Sequence, residues 1–149
     1  MSESTKSGIV QPYLFFAGRC QEALDFYRDA LGARIGMVTH FSQSPDPVPE
    51  GCLQPGFEDK VMHCEFTIGE TTILASDGTS EASGFKNVSL AYQVATEAEV
   101  DQAFAALAEG GVVQMPPGET FWSKRFCMVE DKFGLGWMIN VPQPSTQGA

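Results

Sequence analysis

The sequence predicts an α+β fold built from two copies of one strand–helix–strand–strand–strand module. Three observations predict it. The first is a repeat: the segment from Pro12 to Ala33 reads PYLFF, a polar break and ALDFYRDALGA, and 76 positions later the chain reads VSLAY, a second break and VDQAFAALAEGG. This shift sets Phe16 on Tyr92, Leu24 on Val100 and Leu31 on Leu107. The second is that each copy is followed by a pair of apolar stretches, VMHCEFTIGETTILAS in one half and RFCMVEDKFGLGWMIN in the other. The third is a Gly-, Ser- and Thr-rich stretch, Asp77 to Lys86, which falls between the halves as a boundary. Self-similarity at this scale outranks any single residue as a fold signal. Paired βαβββ modules suggest a pseudo-symmetric shell around a central cavity, and make small-molecule chemistry or binding the leading class of function.

Each element has its own justification. Ile9 to Phe16 is apolar and extended, and Pro12, which cannot donate to a ladder, marks an edge or a bulge. From Arg19 to Ala33 the apolar residues Ala23, Leu24, Phe26, Tyr27, Ala30 and Leu31 fall on one helical face, and Gly32 is placed to stop the helix. A strand follows over Arg34 to Phe41. The stretch SQSPDPVPEGCLQPGFED is the longest irregular segment, either a lid or the cover of a sheet edge. Lys60–Ile68 and Thr71–Ser76 flank Gly69-Glu70 as a hairpin. In the second copy Val88–Val94 is a strand, and Thr96 with Glu99 three residues later forms a capping box. The helix it opens runs to about Ala108 and ends at Gly110-Gly111. Val112–Met115 is a strand, MPPGETFWSKR a turn-rich connection, and Phe126–Glu130 with Gly136–Val141 the last strand pair. The folded part is one domain over residues 9–141, with modules at about 9–78 and 88–141 and frayed termini at 1–8 and 142–149.

Composition narrows the function. A net charge of -10 opposes binding to nucleic acid or to an anionic membrane surface. No apolar run approaches a membrane span, and MSESTKSG lacks the apolar core of a signal peptide, so a cytoplasmic location is expected. Cys20, Cys52, Cys64 and Cys127 have no clustered spacing and read as structural thiols.

A few side chains could carry chemistry. His63 and Glu65 lie two apart on a strand and share a face, where they would serve as a base pair or as two metal ligands; if Met62, Cys64 and Phe66 form the core instead, that face meets water. Ser76 and Asp77, at a strand end, are either turn residues or polar contacts at a pocket mouth. Trp122 beside Arg125 offers a wall for an anion or a ring, or a plug with solvated cations next to it, and the acidity of the chain favours the wall. With only His40 and His63 available, a His-rich metal site is excluded.

Three stretches carry a resemblance: Pro12–Phe16 with Gly18-Arg19-Cys20; Glu22-Ala23-Leu24-Asp25-Phe26-Tyr27 with Ala30-Leu31-Gly32-Ala33; and Thr120-Phe121-Trp122 with Asp131-Lys132-Phe133-Gly134 and Trp137-Met138-Ile139-Asn140. They are similar to the PhnB-like branch of the vicinal oxygen chelate superfamily, which includes glyoxalase I, extradiol dioxygenases and bleomycin- and fosfomycin-resistance proteins. Some relatives in that branch carry a 3-demethylubiquinone 3-methyltransferase label. The resemblance spans about residues 9 to 141. It implies paired βαβββ modules that curl into an open barrel, usually assembled as a homodimer, and, in metal-using members, four inward His or Glu ligands. Those positions fall near Pro12, Leu74, Ser89 and Met138, none of them an acceptable ligand for Zn²⁺, Ni²⁺ or Fe²⁺. No metal and no cofactor is therefore expected, and the Gly-rich loop a methyltransferase needs is absent from the sequence.

Three readings follow. The first is a metal-independent small-molecule binder using His63, Ser76, Asp77, Ser89, Tyr92, Trp122 and Arg125. The second is a lyase or isomerase with His63 as general base, oriented by Glu65 or Asp77, and Arg125 holding an anionic substrate. The third is a non-catalytic dimeric scaffold whose cavity is filled by its own side chains, Leu74 and Met138 among them.

Overall fold

The chain enters the fold as an edge. In a computed structural model, which describes residues 8–46, 48–49, 51–79 and 84–143, the first strand β1 (Tyr13–Phe15) begins directly after Pro12. Pro12 has no N–H to give, but its carbonyl still accepts from the Leu74 N–H at 3.0 Å. Positive φ angles at Ala17 (55°) and Gly18 (97°) turn the chain into helix α1 (Cys20–Leu31). The buried stripe of α1 is Cys20, Ala23, Leu24 and Tyr27, the three- and four-residue spacing of one helical face. Gly32, at φ 69°, closes the helix by donating its N–H to the Arg28 carbonyl at 3.0 Å.

Next come β2 (Arg34–His40), a 3-10 turn (Phe41–Gln43), β3 (Val61–Ile68) and β4 (Thr71–Ser76). The sheet order is β1-β4-β3-β2, with β1 parallel to β4 and the other pairs antiparallel. The second half repeats this with β5 (Ser89–Gln93), α2 (Glu97–Ala108), β6 (Val112–Gly118), β7 (Ser123–Glu130) and β8 (Gly136–Pro142). Its order is β5-β8-β7-β6, again with only the outer first pair parallel. Identical order and direction in both sheets realise the repeat read from the sequence, and the fold is α+β with paired βαβββ modules. The capping box forms as expected: Thr96 Oγ1 accepts from the Glu99 N–H at 3.2 Å, and Glu99 Oε1 accepts from the Thr96 N–H at 2.9 Å.

One element is longer than the sequence suggests. β6 continues through Pro116 and Pro117, residues expected in a connection, and β7 already starts at Ser123. β6 is the edge of its sheet, so a residue without an N–H costs no ladder bond on the open side. The register accordingly slips between Met115 and Gly118.

By contact the chain divides into two compact units, residues 1–24 with 33–81 and residues 25–32 with 82–149. The boundary falls inside α1, whose final turns from Asp25 group with the second unit. The first unit buries Leu14, Phe16, Leu24, Val61, Cys64, Phe66, Ile68 and Ile73. Phe57, from the long irregular segment, joins this core at 2% exposure, and the Gln54 N–H donates to the Thr79 carbonyl at 2.8 Å. The second unit packs α2, through Val100, Ala103 and Leu107, across β6, β7 and β8. Cys127, Val129, Leu135, Trp137, Ile139 and Val141 complete that core. The frayed ends expected from the sequence lie, apart from Gly8, Pro142 and Gln143, outside the described residues. Among the described residues no helix is long and apolar enough to cross a membrane.

The thiols sort by burial. Cys52 is exposed, whereas Cys20, Cys64 and Cys127 are buried. Burial pushes the Cys127 thiol up from 9.0 to about 11. Since the thiolate is the nucleophile, native protein at pH 8 is expected to alkylate quickly at Cys52 and not at Cys127, as peptide mass spectrometry would show. The shift also fixes a stability trend. A raised pKa favours the neutral thiol in the fold, so this contribution is complete below pH 9 and disappears as pH rises through about 11.

Candidate functional site

Each unit presents a half-open sheet face, and the candidate residues divide between them. In the first unit, alternation along β3 buries Cys64, Phe66 and Ile68 and leaves His63, Glu65 and Thr67 half-buried on the other side. Tyr13 pairs with Leu74, and Leu74 with Glu65, so these three stand abreast across the sheet. Tyr13 reaches His63: its hydroxyl lies 3.0 Å from Nδ1, with the ring centroids 5.8 Å apart. Phe15 stacks on Tyr13 at 5.0 Å. Glu65 lies over Gly36, whose missing side chain makes the room, since a Cβ there would come within 3.2 Å of Glu65 Cγ.

Burial, with smaller contributions from the Cys64 and Cys20 thiols, raises the Tyr13 pKa, so the phenol keeps its proton at neutral pH. With that phenol donating, His63 accepts at Nδ1 and presents Nε2–H outward, as a donor to a ligand. For His63 to act as a base at Nε2, Tyr13 must instead accept from Nδ1–H. Neither Glu65 nor Asp77 is hydrogen-bonded to His63 among the described residues, so the orienting partner is Tyr13, not the carboxylates considered from the sequence.

Ser76 and Asp77 are placed otherwise. Ser76 is 3% exposed; its Oγ accepts from the Gly78 N–H at 2.9 Å and donates to the Val61 carbonyl at 3.4 Å. Asp77, 1% exposed, accepts from the Cys20 N–H at 2.7 Å and the Val61 N–H at 2.8 Å. It holds the first turn of α1 to the sheet, with a carboxylate where the helix dipole favours one.

In the second unit, Ser89, Gly136, Met138, Met128 and Glu130 share the sheet face turned away from α2, in register across β5, β8 and β7. They border a cavity of about 670 Å³ that Phe85, Lys86, Asn87 and Gln114 also line. Gly136 keeps it open, because a Cβ there would stand 2.5 Å from Ser89 Oγ. Its volume lies within the range of small-molecule pockets. Two methionines give it a soft apolar floor, and Lys86, Ser89, Gln114 and Glu130 give it polar corners.

Tyr92 is on the helix side of β5, in a second cavity of about 310 Å³ with Asp29, Glu99 and Gln102. Trp122 is 46% exposed and makes edge contacts with Phe121 at 4.8 Å and Phe126 at 5.5 Å. Arg125 is bound elsewhere: its Nε donates to Asp101 Oδ1 of α2 at 2.5 Å. The structure thus brings His63 and Glu65 onto one face, sets Ser89 in the larger cavity and Tyr92 in the other, and pairs Arg125 with Asp101. Tyr13, Lys86, Gln114 and Glu130 were not singled out in the sequence. The repeat held a signal for Tyr13, since a shift of 76 sets it on Ser89.

The sequence profile of the Glyoxalase/Bleomycin resistance protein/Dioxygenase superfamily matches residues 9–139. The chain belongs to that superfamily. Protein YjdN of Escherichia coli strain K12 is 35% identical over 143 residues, covering 89% of this chain and 94% of YjdN. Protein PA1353 from Pseudomonas aeruginosa has a solved structure that fits with a TM-score of 0.79 at 38% identity, covering 93% of this chain and all of that one. The structure of a Bacillus cereus PhnB protein, titled a putative 3-demethylubiquinone-9 3-methyltransferase, fits at 0.71 with 27% identity, over 89% of this chain and 98% of that one. The match agrees with the PhnB-like branch that the sequence resembles.

The superfamily's metal can be tested against the residues present. Leu74 has no donor atom, Pro12 no side-chain donor, Met138 only a thioether, and Ser89 a neutral hydroxyl. Hard or borderline divalent ions need imidazole or carboxylate donors. Among the described residues, no three His, Cys, Asp or Glu side chains gather as an ion would require. The donor set does not fit such an ion.

Proposed function

We propose that this protein binds a small organic molecule on the open face of its second sheet, without the four-ligand metal centre of its superfamily. The observation that carries this reading is the cavity of about 670 Å³ with its methionine floor and the polar groups of Lys86, Ser89, Gln114 and Glu130. Such a mixed lining favours a compact ligand with an apolar body and one or two polar ends. Ser89→Trp tests it by filling the space beside Gly136. In a thermal-shift screen of fragments, ligands that raise the midpoint of the wild type are expected to leave that of Ser89→Trp unchanged, since a ligand stabilises only the state it binds. Equal shifts in both proteins would place the ligand elsewhere.

The Tyr13–His63 pair supports a second reading, a lyase or isomerase working on the first sheet's face. If His63 is the base, activity on a small carbonyl substrate falls about 10²-fold or more in His63→Ala. Tyr13→Phe then lowers kcat, because the imidazole loses the hydroxyl that holds its Nδ1. The dimer implied by the resemblance is proposed with either reading, and a molar mass of one chain in solution would contradict it.

A further inference from the structure

Two cysteines distant in sequence meet inside the first unit. Cys20 opens α1, Cys64 sits in the middle of β3, and their sulfur atoms are 3.6 Å apart with both residues fully buried. Neither thiol has a place in the binding or catalytic readings above.

We propose that Cys20 and Cys64 form a reversible disulfide when the protein meets a hydroperoxide, making this pair a covalent modification site that ties α1 to the sheet. Closing the contact from 3.6 Å to a bond of about 2.05 Å moves the sulfurs by roughly 1.5 Å.

The chemistry balances in two steps. The Cys64 thiolate attacks one oxygen of the peroxide, the O–O bond breaks, and Cys64 becomes a sulfenic acid while the other oxygen leaves as an alcohol or water. Cys20 sulfur then attacks the Cys64 sulfur, and the expelled hydroxide departs as water with the Cys20 proton. Two electrons pass from the thiols to the peroxide, and one S–S bond replaces two S–H bonds. The order of events has an electrostatic basis. The hydrogen bond between the sulfurs, reinforced by burial and by Asp77, keeps Cys20 protonated. The same hydrogen bond favours ionisation of Cys64, against the opposing effect of burial.

A disulfide here would fix the strand residue between His63 and Glu65, and so stiffen the face that carries them.

The test uses full-length Cys52→Ser, which removes the exposed thiol and leaves three. After incubation with hydrogen peroxide, thiols titrated in denaturant are expected to fall from three to one per chain. A digest made without reductant should contain a Cys20–Cys64 linked peptide, and dithiothreitol should restore all three thiols. Peptide mapping of oxidised wild type reads the same link where the variant folds poorly. The proposal is overturned if the count stays at three, if the linkage involves Cys127 or a second chain, or if Cys20 or Cys64 accumulates as sulfinic acid without a link.

Discussion

Asp131→Ala is expected to lower the stability of the second unit by about 3–5 kcal/mol, since each buried donor that loses its acceptor costs roughly 1–3 kcal/mol and neighbouring losses are not fully additive. The carboxylate is 2% exposed and has four donors. Tyr27 O–H and Trp137 Nε1–H reach Oδ2 at 2.5 and 2.9 Å. The Phe133 and Leu135 N–H groups reach Oδ1 at 2.9 and 3.1 Å. Removing the acceptor takes the carboxylate away from all four donors at a buried site. For a chain of this size the loss lowers Tm by roughly 10–15 °C. Asp131→Asn should cost less, because its carbonyl can still serve the two backbone donors while its amide opposes Trp137. Tyr27→Phe removes one bond and should cost about 1–2 kcal/mol, with coupling to Asp131 visible in a double-mutant cycle. Denaturant unfolding of the three variants measures the order. A loss below about 1 kcal/mol for Asp131→Ala would show that the hub is not needed.

Asp77→Ala is the second large effect, about 3 kcal/mol, and it separates a structural role from a ligand-binding one. The residue links three segments: its own strand end, the Val61 N–H at 2.8 Å and the Cys20 N–H at 2.7 Å, which belongs to a helix start 57 positions earlier. Its loss should show first as faster hydrogen exchange in the opening turn of α1 and at Val61. Binding of any ligand in the second unit's cavity should be unchanged at temperatures where the variant is folded. Were binding lost while exchange at Cys20 stayed protected, Asp77 would be a ligand contact after all.

These two carboxylates show where reading the sequence stops. The repeat, the helices and the strand pairs were legible because local periodicity and Gly, Pro and Thr signals dictate them: the capping box at Thr96 and the stop at Gly32 formed as expected. Asp77 stood out as a carboxylate at a strand end, yet its partners come from α1 and β3, and no local pattern announces a bond across 57 positions. Asp131 was named only within the stretch that carries the resemblance, because the Tyr27 hydroxyl that completes its site lies 104 positions away. Arg125 illustrates the converse. Adjacency to Trp122 suggested a shared wall, but Arg125 meets Asp101 of α2 instead.

The open face of the second sheet was legible only in part. Ser89 and Met138 were marked as former ligand positions, whereas Lys86, Gln114 and Glu130 reach the cavity through register and loop placement. β6 itself was underestimated, since Pro116 and Pro117 argue against a strand until its edge position is known.

The central claim, a ligand site without a metal on that face, is tested most directly by methyl NMR of methionine-labelled protein during a fragment titration in metal-free buffer. Among the described residues, Met128 and Met138 are the methionines that border the cavity. The account predicts that binding fragments shift the Met128 and Met138 methyl signals, saturably and without added metal. Fragments that bind while leaving both signals in place, or that bind only after a divalent ion is supplied, would contradict it.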